Sequence, residues 1–187
     1  MIAFIYIEHQ SDNCLASFLH QKHTQKRKDK REMFGRLCEE IEIKVAANEA
    51  WKIFGALELG HLAFQQLSDI IHKMEVLEGD GGAGTVIKLS LPGNTYCKEI
   101  LKVVDQEKRV KIAELIEGGF LDMGFTFYQV RIEVIENAKD ENSCTVKFTI
   151  EYEVKEDAAA NASLVSIRPY VTMMNVGVDY LAKNKNK

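Results

Sequence analysis

An α+β fold, with a seven-stranded antiparallel sheet curved around one long C-terminal helix, is predicted by three observations. Apolar residues alternate at period two through most of the chain after residue 36. The spacing becomes helical only around residues 48–67 and beyond residue 158. The segments between strand-like runs are short glycine-rich or charged turns, which join antiparallel neighbours and cannot carry parallel crossovers.

The first strand is read at Arg36–Val45, where Leu37, Ile41, Ile43 and Val45 share one face and Cys38, Glu40, Glu42 and Lys44 the other, with Glu39 the exception. Asn48 is expected to cap a short helix through Trp51, Ile53 and Phe54, and a second short helix follows at Leu59–Leu67. Further strands are expected at His72–Glu78, Thr85–Leu91, Tyr96–Val104, Arg109–Glu117, Phe120–Ile135 and Cys144–Val154. In the last of these Cys144, Val146, Phe148, Ile150 and Tyr152 form an apolar face that needs a cover. The remaining segment, Ala158–Lys183, supplies it, with Leu164, Ile167, Val171, Met174, Val178 and Leu181 near helical spacing and a kink expected at Pro169. This order describes a helix-grip arrangement around an apolar cavity.

The chain has 187 residues, is 46% hydrophobic and contains two prolines, which suits one buried core and one domain. Charge is uneven. Residues 1–32 carry six Lys/Arg against four acids, whereas residues 33–187 carry 18 against 24. An acidic folded part argues against a nucleic-acid groove. Residues 1–32 are read as a basic, disordered extension and residues 33–187 as the ligand-binding domain, with Met33 standing where compact patterning begins. The run Lys22–Arg31 also admits reading as a nuclear or phosphate-binding address.

Cys14, Cys38, Cys97 and Cys144 are scattered, with no paired spacing for zinc or a disulfide framework, so no metal site is expected and a cytoplasmic location fits best. The apolar opening Met1–Ile7 is too short for a signal peptide or a membrane span. No membrane or nucleic-acid partner is expected, and a homodimer is left open.

Gly79-Asp-Gly-Gly-Ala-Gly-Thr85 lacks the Gly-Lys-Ser/Thr ending of a phosphate loop and lies between two strands, so it is read as a glycine-rich hairpin. Together with Ile116-Glu-Gly-Gly-Phe-Leu-Asp-Met-Gly124, in this element order, it resembles the plant pathogenesis-related class-ten proteins, the family of the major birch-pollen allergen. The resemblance covers residues 36–184. Ile150-Glu-Tyr-Glu-Val-Lys155 places it near the norcoclaurine-synthase-like branch, whose type enzyme condenses dopamine with an aldehyde using a lysine, a glutamate, a tyrosine and an aspartate. Aligned without gaps, the resemblance puts the lysine on Lys111 and the glutamate on Glu99, but the tyrosine on Cys97 and the aspartate on Val130.

Strand periodicity independently puts Cys97, Glu99, Leu101 and Val103 on one face, with Lys111, Ala113 and Leu115 and then Tyr128, Val130 and Ile132 on the following strands. Tyr96 is one residue from the tyrosine position, a slip that turns a side chain to the opposite face unless a bulge intervenes. A carboxylate and an ammonium facing apolar surroundings are candidate acid/base groups, so Glu99 and Lys111 are the expected catalytic pair; the alternative is a structural cross-strand pair, or, in another register, two solvent-facing side chains. Cys97, Tyr96, Leu101, Ala113, Tyr128, Val130, Met174 and the rim residue His61 are the expected substrate contacts.

With the condensing set incomplete, the resemblance implies first a double-bond isomerase of the neopinone isomerase kind, which would move the β,γ double bond of a morphinan ketone into conjugation, neopinone to codeinone. Glu99 would move the proton and Lys111 would stabilise the dienolate, with no cofactor. Second is the Pictet-Spengler condensation of dopamine with an aldehyde, with Tyr96 or Tyr128 as the phenol. Third is non-catalytic carriage of hydrophobic plant metabolites.

Overall fold

The computed structural model describes residues 32–69 and 71–184. The basic extension, including the Lys22–Arg31 run and Cys14, lies outside them apart from Glu32.

Strand β1 (Glu32–Ile43) is followed by helices α1 (Ala47–Phe54) and α2 (Glu58–Gln66), then by β2 (Lys73–Glu78), β3 (Val86–Leu91), β4 (Thr95–Asp105), β5 (Val110–Gly118), β6 (Phe125–Glu136), β7 (Cys144–Lys155) and helix α3 (Arg168–Asn184). The seven strands form one antiparallel sheet in the order β1-β7-β6-β5-β4-β3-β2. This is the predicted α+β fold. Only the β1–β7 pairing joins strands distant in sequence, and it matches Glu32 with Lys155 through to Ile43 with Cys144.

Helices α1 and α2 cross the concave side and meet α3 there, so the core lies between the inner sheet face and the three helices. On β7, Cys144, Val146, Phe148, Ile150, Tyr152 and Val154 are all buried, as the alternation requires. On α3 the buried residues are Pro169, Tyr170, Met173, Met174 and Gly177.

Four expectations need correction. Asn48 does not cap α1: the N-cap is Ala46, and the Asn48 side-chain oxygen accepts a 2.8 Å hydrogen bond from Arg109 Nη1. Pro169 makes no kink. It stands in the first turn of α3, where its missing N–H has no helical acceptor to lose, while residues 156–164 form a separate 3₁₀ segment. Strand β6 starts at Phe125, because Gly119–Met123 forms a 3₁₀ turn closed by Gly124 in the left-handed region. Val103 is not an inner-face residue, since the β4–β5 register shifts between Leu101 and Val103; beyond the shift Val104 stands opposite the buried Lys111 and packs on the core.

The glycine-rich segment is the expected hairpin. Gly79, Gly81 and Gly84 have φ of 85°, 103° and 92°, and the loop closes on itself through Gly81 N–H to Thr85 Oγ1 at 2.9 Å. Gly118 matters more for the interior. Its φ is 72°, and a Cβ there would collide with the main-chain oxygen of Tyr96, so only glycine lets β5 end against β4.

Candidate active site

Lys111 and Glu99 both point inward. They are 4% and 3% exposed, on adjacent strands and the same sheet face. They are not a cross-strand pair: Glu99 stands opposite Leu115, Lys111 opposite Val104, and the Leu101–Ala113 pair lies between them. Four residues along β5 separate the two positions, on the order of 13 Å of strand.

The Lys111 amine donates a 2.8 Å hydrogen bond to the main-chain oxygen of Ala56, in the turn between α1 and α2. Burial pulls its pKa down from 10.5 to about 7, because charging an amine there costs solvation that one carbonyl does not restore. With Ala56, Leu57, Leu59, Gly60, Met74, Ile87, Leu101 and Met173 it lines a small apolar cavity. Glu99 pairs directly with Ile87 and is two residues from Leu101, both cavity-lining, but does not itself line the cavity.

The cavity is smaller than the sequence suggested. It has room for about one water molecule. Aromatic side chains contribute to the packed core around it. Phe120 stacks on Tyr128 with ring centroids 4.7 Å apart, and Tyr170 of α3 packs against Phe148 at 6.2 Å.

The hydroxyls of Tyr128 and Tyr170 are 3.5 Å apart, and desolvation raises both pKa values, so both are neutral phenols able to donate a hydrogen bond. Tyr170 was not singled out from the sequence. The signal was present in the 170, 173, 174, 177 spacing, which is the buried face of α3.

Of the expected contacts, Cys97, Leu101, Ala113, Tyr128, Val130 and Met174 are buried on the inner side. Two are not part of it. Tyr96 is 38% exposed on the outer face, where its hydroxyl donates to Glu117 and its ring lies under Lys88 and Lys98. The β4–β5 irregularity leaves Ile116 as the extra residue on β5, so it does not turn Tyr96 inward. His61 is exposed on the outer side of α2, while its neighbour Gly60 forms cavity wall.

A wider groove of about 370 Å³ runs between β1 and the end of α3, lined by Ile41, Ile43, Val45, Val178, Leu181 and Ala182. Its charged members, Glu42 and Lys44, are exposed and pair at 2.8 Å. No buried acid/base group lines it. Among the described residues no group of three His, Cys, Asp or Glu could hold a metal ion, and no helix is long and apolar enough to cross a membrane.

A sequence model described as "Pathogenesis-related protein Bet v 1 family" matches residues 32–180. Norbelladine synthase of Narcissus pseudonarcissus is 40% identical over 158 residues, covering 82% of this chain and 96% of that protein. S-norcoclaurine synthase 2 of Papaver somniferum is 35% identical over 151 residues, covering 78% of this chain but 64% of that protein. Norcoclaurine synthase from Thalictrum flavum, solved in complex with dopamine and hydroxybenzaldehyde, superposes with a TM-score of 0.72 at 30% identity, over 83% of this chain and 91% of that one.

These relatives correct the expected enzyme class. They are named as synthases, for norbelladine and norcoclaurine, and the expectation of a double-bond isomerase is overturned.

Proposed function

We propose, for a chain that belongs to the pathogenesis-related protein Bet v 1 family, that it is a synthase joining an aryl-ethylamine such as dopamine to an aryl aldehyde inside the sheet–helix interior. The observation that carries this reading is Lys111: a buried lysine on an apolar cavity wall, with its amine near half-protonation at neutral pH. Such a group gives and takes protons at the working pH.

The amine of one substrate adds to the aldehyde carbon to give a carbinolamine, which loses water to give an iminium ion. With an aryl acetaldehyde, ring closure follows: the aromatic carbon attacks the iminium carbon and then loses its proton. Glu99, on the same inner face, protonates the departing hydroxyl or takes the ring proton. Lys111 supplies the second acid/base group. Tyr128 of β6 and Tyr170 of α3 donate to a substrate oxygen, replacing the phenol that the resemblance leaves as Cys97. A closed apolar interior strengthens each of these interactions and keeps the iminium ion from water.

With about one water's room, the interior must open by repacking around Tyr128, Tyr170 and Met173 when substrates enter. The unbranched Met173 and Met174 side chains of α3 supply that adaptability.

The test is to incubate purified protein with dopamine and an aryl acetaldehyde, or with hydroxybenzaldehyde, and resolve the product by chiral or reversed-phase chromatography against buffer. Accelerated formation, with one enantiomer dominant where a stereocentre forms, is the expected result. Formation at the buffer rate, with substrate bound, refutes the synthase and leaves ligand carriage.

A further inference from the structure

We propose that strand β1 is a self-association edge: two copies of this chain pair their β1 strands antiparallel around a twofold axis at Cys38, joining the two seven-stranded sheets into one. The inference goes beyond the synthase reading and does not depend on it.

Strand β1 stands at one end of the sheet order, so among the described residues no strand covers its outer edge. Main-chain N–H and C=O groups along such an edge are a template for another strand, which proteins blunt with proline, a bulge or a short strand. β1 has twelve residues, no proline and no register shift against β7. It also carries Met33 and Phe34, which are 38% and 58% exposed.

Side-chain order selects the register. Pairing with β7 puts Phe34, Arg36, Cys38, Glu40 and Glu42 on the outer face, and Met33, Leu37, Glu39, Ile41 and Ile43 on the inner one. Directly opposed residues share a face, so the axis must pass through a residue and not between two. Centred on Cys38, Arg36 meets Glu40 of the second copy, twice by symmetry, and Lys44, just past the strand, falls beside Glu32 of the second copy. Moving the centre to Arg36, Glu39 or Glu40 opposes that residue to itself, and moving it to Leu37 opposes Glu32 to Glu42. In the Cys38 register no like charges stand directly opposite, and the exposed Glu39 side chains meet only on the diagonal. Within one copy Arg36 and Glu40 make only long surface contacts, 3.5 Å to Glu151 and 3.9 Å to Lys147.

The same register gives the groove beside β1 an occupant. Met33 of the second copy falls opposite Ile43 on the inner side, where the space of about 370 Å³ opens between Ile41, Ile43, Val178 and Leu181. An unbranched methionine fills an irregular apolar space of this kind. Each copy thereby braces the end of the other's α3, the helix that carries Tyr170 and Met173 into the interior.

The experiment measures sedimentation equilibrium of the full chain and, in parallel, treats it with a short bis-methanethiosulfonate and maps the linked peptides by mass spectrometry. Directly opposed Cβ atoms lie about 4.5–5.5 Å apart, within reach of that reagent. A dimer is expected, with a Cys38–Cys38 link that is lost in Cys38→Ser. Arg36→Glu and Glu40→Arg each set like charges opposite one another twice and should raise the dimer dissociation constant about tenfold or more. Both substitutions in one chain restore the complementary order and should restore the dimer, which separates a paired edge from damage to the fold. A monomer without the Cys38 link, a dimer indifferent to both charge reversals, or a double variant that stays monomeric overturns the inference.

Discussion

The amine of Lys111 donates to the carbonyl oxygen of Ala56 at 2.8 Å, tying the middle of the sheet to the turn between the two short helices. The same contact leaves a titratable group in an apolar wall, and its cost has a definite pH dependence. The folded-state pKa is depressed to about 7 from 10.5. Between those values the unfolded chain binds more protons than the folded one, so this group makes stability rise with pH across that window and adds no slope below it. Urea unfolding from pH 7 to 9 is expected to show a gain of up to about 1.4 kcal/mol per pH unit from Lys111, absent in Lys111→Met. Parallel pH profiles for the two proteins would contradict this.

Glu99→Gln keeps the shape of the buried side chain and removes the carboxylate. Condensation is expected to slow by about 10²- to 10⁴-fold, the usual worth of a positioned acid/base group. The near-ultraviolet circular dichroism should be unchanged, which separates lost chemistry from lost packing.

The three tyrosines discriminate inner from outer face. Tyr170→Phe and Tyr128→Phe remove hydroxyls that approach each other at 3.5 Å inside the protein, and each is expected to lower kcat while changing stability by about 1 kcal/mol or less. Tyr96→Phe removes an outer-face contact with Glu117 and should leave kcat and KM where they were. An active-site effect of Tyr96→Phe would mean that β4 is out of register by one residue.

Gly177 sets the approach of α3 to α1. A Cβ there would lie 2.7 Å from Phe54 Cζ and 2.9 Å from its Cε1, with Leu59 behind at 3.3 Å. Gly177→Ala must push a fully buried ring or the helix itself, a strain of about 1–3 kcal/mol set against the small helix-propensity gain. Thermal unfolding is expected to move down; an unchanged or higher midpoint would show that α3 shifts freely.

Strand order and face assignment were legible because period-two alternation persists along β4, β6 and β7. Cys97, Glu99, Leu101, Tyr128 and Val130 all lie on the inner face that alternation assigns. Failures cluster where local geometry overrides period. The glycine turn before Phe125 and the irregularity at Lys102 change which residues belong to or face a strand, and neither leaves an apolar signature. Pro169 was read for its cost inside a helix when its position in the first turn makes that cost vanish. The inward position of Lys111 was legible, but its Ala56 partner was not, because that contact spans 55 residues and ends on a main-chain oxygen. Tyr170 was hidden by its location in a helix read chiefly for its aliphatic stripe.

The central claim is that condensation runs on the titrating amine of Lys111, and the pH dependence of kcat/KM for dopamine and aldehyde tests it most directly. The parent is expected to show a break near pH 7 that disappears in Lys111→Arg, whose side chain stays protonated, with a rate loss at every pH. The same break and the same rate in Lys111→Arg would place the chemistry elsewhere.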